Sequence, residues 1–367
     1  VRAIERLIML LRDPAKAADV PADAWDAILS VARGEVMLGT LALRLAGQPL
    51  PSSVARHLEA AARAADHAQR LALWEAEMCR RALGPLGIAP ILLKGTAYAA
   101  AGLPNAAGRQ IGDLDILVPR ERLDEVEAAL LAADWEWVKD DPYDQAYYRR
   151  WMHELPPLIH AERDRMVDVH HTILPLTARI TPDAAAMIAD AQDLPLPAHF
   201  GNLHEPGDDP EIPADPSTAP LLAGYRVLGR FDIVHHCVAH LMADGEMDGG
   251  LRNLWDFHCL VLEMQRRTNG KYLKDLLSDT GRHGLRHAYA RTARLAHHLF
   301  GTPMYVLARL TLTDQLFLRR LLARDDWGRE IHRPLRFAFY IRSHLLRMPL
   351  PMLLRHLWIK WRKGSAV

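Results

Sequence analysis

At 367 residues, half of them hydrophobic, the chain is long enough for two domains or one large one and can build a sizeable core. Lysine plus arginine equal aspartate plus glutamate at 45 each, so overall charge gives no argument for a nucleic-acid partner and any electrostatic case must be local. Cys79, Cys237 and Cys259 are widely and unevenly spaced, which argues against a disulfide framework or a four-cysteine zinc site and fits packing residues in a reducing, cytoplasmic compartment.

Residues 1–11 mix acid and base with apolar residues and carry no cleavage signal, so they predict an amphipathic helix. No apolar run is long enough to span a bilayer. Residues 1–84 form a helical region, clearest over 53–83, where alanine, leucine, glutamate and arginine dominate before Gly84-Pro85 and Gly87 end the pattern. An α/β core follows over 85–215. Its apolar run 89–93 predicts a buried strand, Lys94-Gly95-Thr96 opens an alanine-rich helix, and Pro104 and Gly108 break that helix. Residues 111–118 predict a second strand, 119–131 a helix with proline at its start, and 158–161 with 166–171 a hairpin turned at 162–165. After a helix over 182–191, the stretch 194–215 is loaded with proline, glycine and aspartate and reads as a loop or irregular hairpin. From 216 to 367 the periodicity is helical, with candidate helices at 231–242, 250–267, 272–280, 286–300, 313–323 and 335–346. The fold class this predicts is α+β, a small mixed sheet flanked by N- and C-terminal helical regions.

In Gly112-Asp-Leu-Asp-Ile-Leu-Val118, strand alternation puts Asp113 and Asp115 on one face and Leu114, Ile116 and Val118 on the other. Carboxylates held roughly 7 Å apart along a strand repel each other unless a cation sits between them or water bathes both. A Mg²⁺ site is the economical explanation, with Mn²⁺ as an alternative, because a hard ion takes a few carboxylates and completes its shell with phosphate oxygens and water. Backbone N–H groups at Lys94-Gly95-Thr96, ahead of a helix, suit a triphosphate, and glycine permits close approach. Asp168, on the strand 166–171, is expected to share a second metal and help activate an attacking hydroxyl. Lys94 and Arg109 are available to neutralise phosphate charge.

On Leu92-Leu93-Lys94-Gly95-Thr96, on Arg109 followed by Gly112-Asp-Leu-Asp-Ile-Leu-Val118, and on Val167-Asp168-Val169-His170-His171, the chain resembles the nucleotidyltransferase-fold superfamily and, within it, the bacterial family of uncharacterised nucleotidyltransferases. The resemblance covers about residues 85–175, with a weaker likeness at His240 and Leu251-Arg-Asn-Leu-Trp-Asp256. It implies a metal-dependent transferase in which Gly95 and Thr96 match the phosphate turn, Asp113 and Asp115 the metal pair and Asp168 the third acid. Thr96 stands where the superfamily usually has glycine or serine, and the gap from Gly95 to Asp113 is longer than in compact members. The implied activity is Mg²⁺-dependent transfer of a nucleoside monophosphate from a triphosphate, ATP by default, to a hydroxyl or phosphate acceptor on a small molecule, peptide or protein. A non-catalytic nucleotide- or peptide-binding module on the same fold is the alternative.

Four further features have competing readings. His170 shares a face with Asp168 and is expected beside the site, while His171 turns away to pack. His236 and His240 have the helical spacing of metal ligands but read as structural histidines. Arg252 and Asp256, also four apart, fit a helix-surface ion pair or a pair facing the cleft. Residues 329–363 carry nine lysines or arginines against Glu330 alone, with Trp358 and Trp361 near the end. They suit either a terminal helix packed by its apolar stripe or a weak contact with a membrane or another anionic partner.

Overall fold

The computed structural model describes residues 2–194, 225–243, 245, 247, 249–304 and 309–362. The expectation for 194–215, and the start of the helical stretch from 216, lie outside them except at residue 194.

The helix Ser52–Leu83 buries Val54, Leu58, Ala65, Ala72, Ala76, Cys79 and Leu83, positions spaced by three, four or seven that make one stripe. At about 1.5 Å per residue it is a strut of roughly 48 Å. It packs on the helices Leu38–Arg44, Lys94–Ala100 and Leu123–Ala132. The N-terminal helix Ala3–Arg12 buries Ile4, Leu7, Ile8 and Leu11 against the helix Trp25–Gly34.

Seven strands among the described residues form one mixed sheet: β1 (Ile91–Leu92), β2 (Leu114–Leu117), β3 (Trp135–Trp137), β4 (Leu158–His160), β5 (Met166–His170), β6 (Gln192–Asp193) and β7 (Arg226–Val227), in the order β3-β4-β5-β2-β1-β7-β6. β2 runs antiparallel to β1 and parallel to β5, and the β2–β5 register sets Asp115 opposite Asp168. The strands are shorter than their sequence patterns. β2 begins only at Leu114 and all four of its residues are buried, so Asp113 stands in the bend before the strand, from where it still converges with Asp115. Arg226–Val227 pairs with β1, so the sheet extends beyond residue 215.

A helix not expected from the sequence, Pro142–Trp151, stands between β3 and β4. Its start has a physical signature: the Asp141 side chain accepts from the N–H groups of Tyr143 and Asp144, and Pro142 takes the first helical position. The expected helix over 231–242 is α-helical for Asp232–Val238 and then widens into a π turn, Ala239–Ala243. The basic segment folds as the helices Arg333–Arg347 and Leu350–Arg362. Phe339, Met348 and Leu353 are buried, whereas Phe337, Leu350, Leu354 and Trp358 are more than half exposed. The apolar stripe is therefore only partly packed. Among the described residues no helix is long and apolar enough to cross a membrane.

The segment leading into β2 is fixed by a backbone-to-backbone contact. A Cβ on Gly108, whose φ is +67°, would lie 2.2 Å from the carbonyl of Gly39, and a Cβ on Gly39 would lie 2.5 Å from the Gly108 oxygen. Gly108→Ala therefore meets both a left-handed backbone and a rigid neighbour, and should lower stability by at least about 2 kcal/mol in urea unfolding. Gly112→Ala, with open space around it, should stay within about 0.5 kcal/mol. Equal effects at the two positions would contradict this account of the contact.

Candidate active site

Side-chain oxygens of Asp113, Asp115 and Asp168 lie within 4.8 Å of one another. Asp115 projects from β2 and Asp168 from its parallel neighbour at the same level, while Asp113 reaches in from the bend before β2. Asp113 is exposed, Asp168 partly buried and Asp115 buried.

The environment gives the three acids different charges to carry. Burial alone would raise the Asp115 carboxyl, but Lys94 Nζ at 2.7 Å and His170 Nε2 at 2.9 Å from the same oxygen hold it well below the usual carboxylate range. Among the described residues no ion pair meets Asp168. Burial, then Glu154 and Asp115, push its carboxyl up to about 7, and its Oδ1 is buried with no hydrogen-bond partner. Asp113 is raised by the surrounding protein and by Asp115. Like charges this close need a cation, and an orphaned buried carboxylate oxygen is the group that one would satisfy. The oxygen-only donor set fits Mg²⁺ or Mn²⁺.

Lys94 stands at φ +47°, in the left-handed region that costs a non-glycine residue on the order of 1–2 kcal/mol. Its ion pair with Asp115 keeps it there, and Leu93 donates its N–H to the Asp115 carbonyl at 3.0 Å. The first turn of the helix Lys94–Ala100 has no intrahelical partner for its N–H groups, and its N-cap, Leu93, supplies no side-chain acceptor. Gly95 and Thr96 are buried; a Cβ on Gly95 would sit 2.8 Å from Arg109 Nε, and the Thr96 hydroxyl is buried without a partner.

Arg109 does not face the aspartates. Its guanidinium pairs with Asp256 and lies 5.7 Å over the Tyr98 ring. Arg252 holds the other Asp256 oxygen at 3.0 Å, donates to the Asn105 carbonyl at 2.6 Å and contacts the Thr40 hydroxyl. Arg252 and Asp256 are thus neither a surface pair nor a pair lining the cleft. With Arg109 they form a buried knot that ties the N-terminal helices and the loop before β2 to the helix Gly250–Arg267.

His170 is 1% exposed and touches Asp115, while His171 turns away to the Met152 carbonyl at 3.2 Å. His236 is buried, and burial followed by Lys94 drives its imidazole well below the ordinary range. Among the described residues it joins no third ligand. The site also has neighbours that the sequence did not single out. His153 and Glu154 follow the helix Pro142–Trp151 and approach His170, and burial, Glu154 and Asp168 raise the Tyr148 phenol to about 12. Tyr143, Tyr147 and Trp151 of that helix line a shallow cavity with Met352 and Arg355.

Two carboxylates on a parallel pair of central strands and a third from the bend before one of them, beside a glycine-containing strand–helix turn, form a cluster that could coordinate a divalent ion. The chain belongs to the family of uncharacterised nucleotidyltransferases, whose model matches residues 21–301. No curated protein and no solved structure matches the chain.

Removing Asp256 leaves two buried arginines unpaired, so Asp256→Asn should cost about 3–5 kcal/mol in chemical denaturation. The aspartate trio should behave differently in melts without metal. Asp113→Asn and Asp168→Asn relieve repulsion and should leave the melting temperature unchanged or raised, whereas Asp115→Asn deprives Lys94 and His170 of their anion and should lower it. Because Asp168 keeps its proton up to about pH 7, cation binding must displace that proton. Calorimetry should find weaker Mg²⁺ binding at about pH 6 than at about pH 8, and equal affinity would contradict the assignment.

Proposed function

We propose that this protein is a metal-dependent nucleotidyltransferase, moving a nucleoside monophosphate from a triphosphate, ATP by default, to a hydroxyl or phosphate acceptor with release of pyrophosphate. The observation that carries the reading is the convergence of Asp113, Asp115 and Asp168 within 4.8 Å around an unpartnered, buried Asp168 oxygen. Held by these carboxylates, Mg²⁺ would supply positive charge against the triphosphate and acidify the attacking hydroxyl.

Each nearby group has a part in the step. Asp115, kept ionised by Lys94 and His170, is a permanent anion at the bottom of the site. Asp168, level with Asp115 on the neighbouring strand, would help hold the ion against which the acceptor's hydroxyl is deprotonated. The Lys94 ammonium, 23% exposed at the side chain, and the uncapped N–H groups after Leu93 offer donors for phosphate oxygens. The acceptor oxygen bonds to the α-phosphorus, the bond from that phosphorus to the bridging oxygen breaks, and pyrophosphate departs with the electron pair. Most of the rate gain expected here is electrostatic, as in other phosphoryl transfers. Arg109 has no part in this scheme because Asp256 engages it.

The test is a screen of the four nucleoside triphosphates with Mg²⁺ against alcohol, sugar-phosphate and peptide acceptors, read as pyrophosphate release. Release should need the metal and fall at least about a thousandfold in Asp113→Asn and Asp168→Asn, both of which should keep their fold. Nucleotide binding without pyrophosphate release for any acceptor would instead make the chain a binding module, and undiminished turnover in both variants would rule out the mechanism.

A further inference from the structure

On the far side of His170 from Asp115 lies a second cluster, and its chemistry is different. His153, Glu154 and His170 offer ligand atoms within 4.8 Å of one another. Glu154 Oε2 stands 3.6 Å from His153 Nε2 and 3.5 Å from His170 Nδ1. Ligands bound to a tetrahedral ion at about 2.0–2.2 Å are separated by about 3.3–3.6 Å, so these spacings are the edges of such a site.

We propose that His153, Glu154 and His170 form a separate binding site for Zn²⁺ or a similar first-row ion, distinct in preference from the aspartate trio. The backbone sets this geometry. Glu154 bridges to His170 across an antiparallel pairing, framed by bonds from His171 N to the His153 carbonyl at 2.9 Å and from Leu155 N to the Val169 carbonyl at 2.9 Å.

A second observation concerns His170 alone. Its Nε2 meets Asp115 Oδ1 at 2.9 Å, while its Nδ1 is buried, lies 3.5 Å from Glu154 Oε2 and makes no hydrogen bond. A buried ring nitrogen with no hydrogen bond, beside a carboxylate and a second imidazole, is a group that a bound ion would satisfy. The arrangement is also the usual one behind a bound metal, in which a ligating histidine gives its other N–H to a carboxylate. Two imidazoles and one carboxylate favour a borderline ion over Mg²⁺ and leave a fourth position for water. Bound there, the ion clamps the segment after the helix Pro142–Trp151 to β5 and fixes the ring that anchors Asp115.

The probe is Co²⁺ titrated into the metal-free full-length chain, read by visible ligand-field absorption, with folding followed by circular dichroism. Four-coordinate absorption should saturate at one ion per chain, vanish on adding Zn²⁺ and persist in excess Mg²⁺. His153→Ala and Glu154→Gln should each weaken it at least about tenfold, while Asp113→Asn leaves it intact. Absence of the absorption, its survival in both His153→Ala and Glu154→Gln, its displacement by Mg²⁺, or its loss in Asp113→Asn would overturn the proposal. The readout needs no turnover, so it succeeds or fails independently of the nucleotidyl-transfer reading.

Discussion

The structure depends on how one buried carboxylate, Asp115, stays charged. Two more acids stand within 4.8 Å of it, an arrangement that burial and repulsion both oppose. Lys94 and His170 resolve the conflict on one side by meeting the same Asp115 oxygen. Nothing comparable meets Asp168, whose carboxyl is pushed towards neutrality and whose buried oxygen lacks a partner. The site is therefore asymmetric: one wall holds a fixed anion, and the other holds an acid ready to exchange a proton for a cation. Such electrostatic tension is common where stability has been subordinated to chemistry.

The rest of the fold holds this tension in place. The parallel pairing of β2 with β5 sets Asp115 level with Asp168, and every residue of β2 is buried. The Gly39–Gly108 contact fixes the approach to β2, and Asp256, gripped by Arg109 and Arg252, joins that approach to the C-terminal helices. Arg109, expected as a phosphate ligand, thus serves the frame: it crosses Gly95 on its way to Asp256, and the glycine there makes room for its side chain.

The parts legible in the sequence were those encoded locally. The helical stripe of Ser52–Leu83, the Asp-x-Asp strand and the strand–turn–helix around Lys94 follow from spacing and turn chemistry within a few residues. The order of the three acids was visible too, because strand alternation and a hairpin are short-range signals. What escaped depends on pairing over distance. The partner of Arg109 is 147 residues away, and that of Lys94 lies on another strand. His153 and Glu154 join His170 only because the chain doubles back after a helix whose Asp141-Pro142 start was the overlooked local clue. The two-residue strands β6 and β7 are too short to carry a period and exist only by pairing.

The central claim is that Asp113, Asp115 and Asp168 together bind a hard divalent ion. Electron paramagnetic resonance of Mn²⁺ added to the full-length chain, beside an Asp113→Asn/Asp168→Asn double variant, tests it most directly. The account predicts that the native chain removes free Mn²⁺ signal, that Mg²⁺ restores it by competition, and that the double variant holds no Mg²⁺-displaceable Mn²⁺. A native chain that leaves the signal untouched, with or without ATP, or a double variant that binds as well as the native chain, would contradict the account.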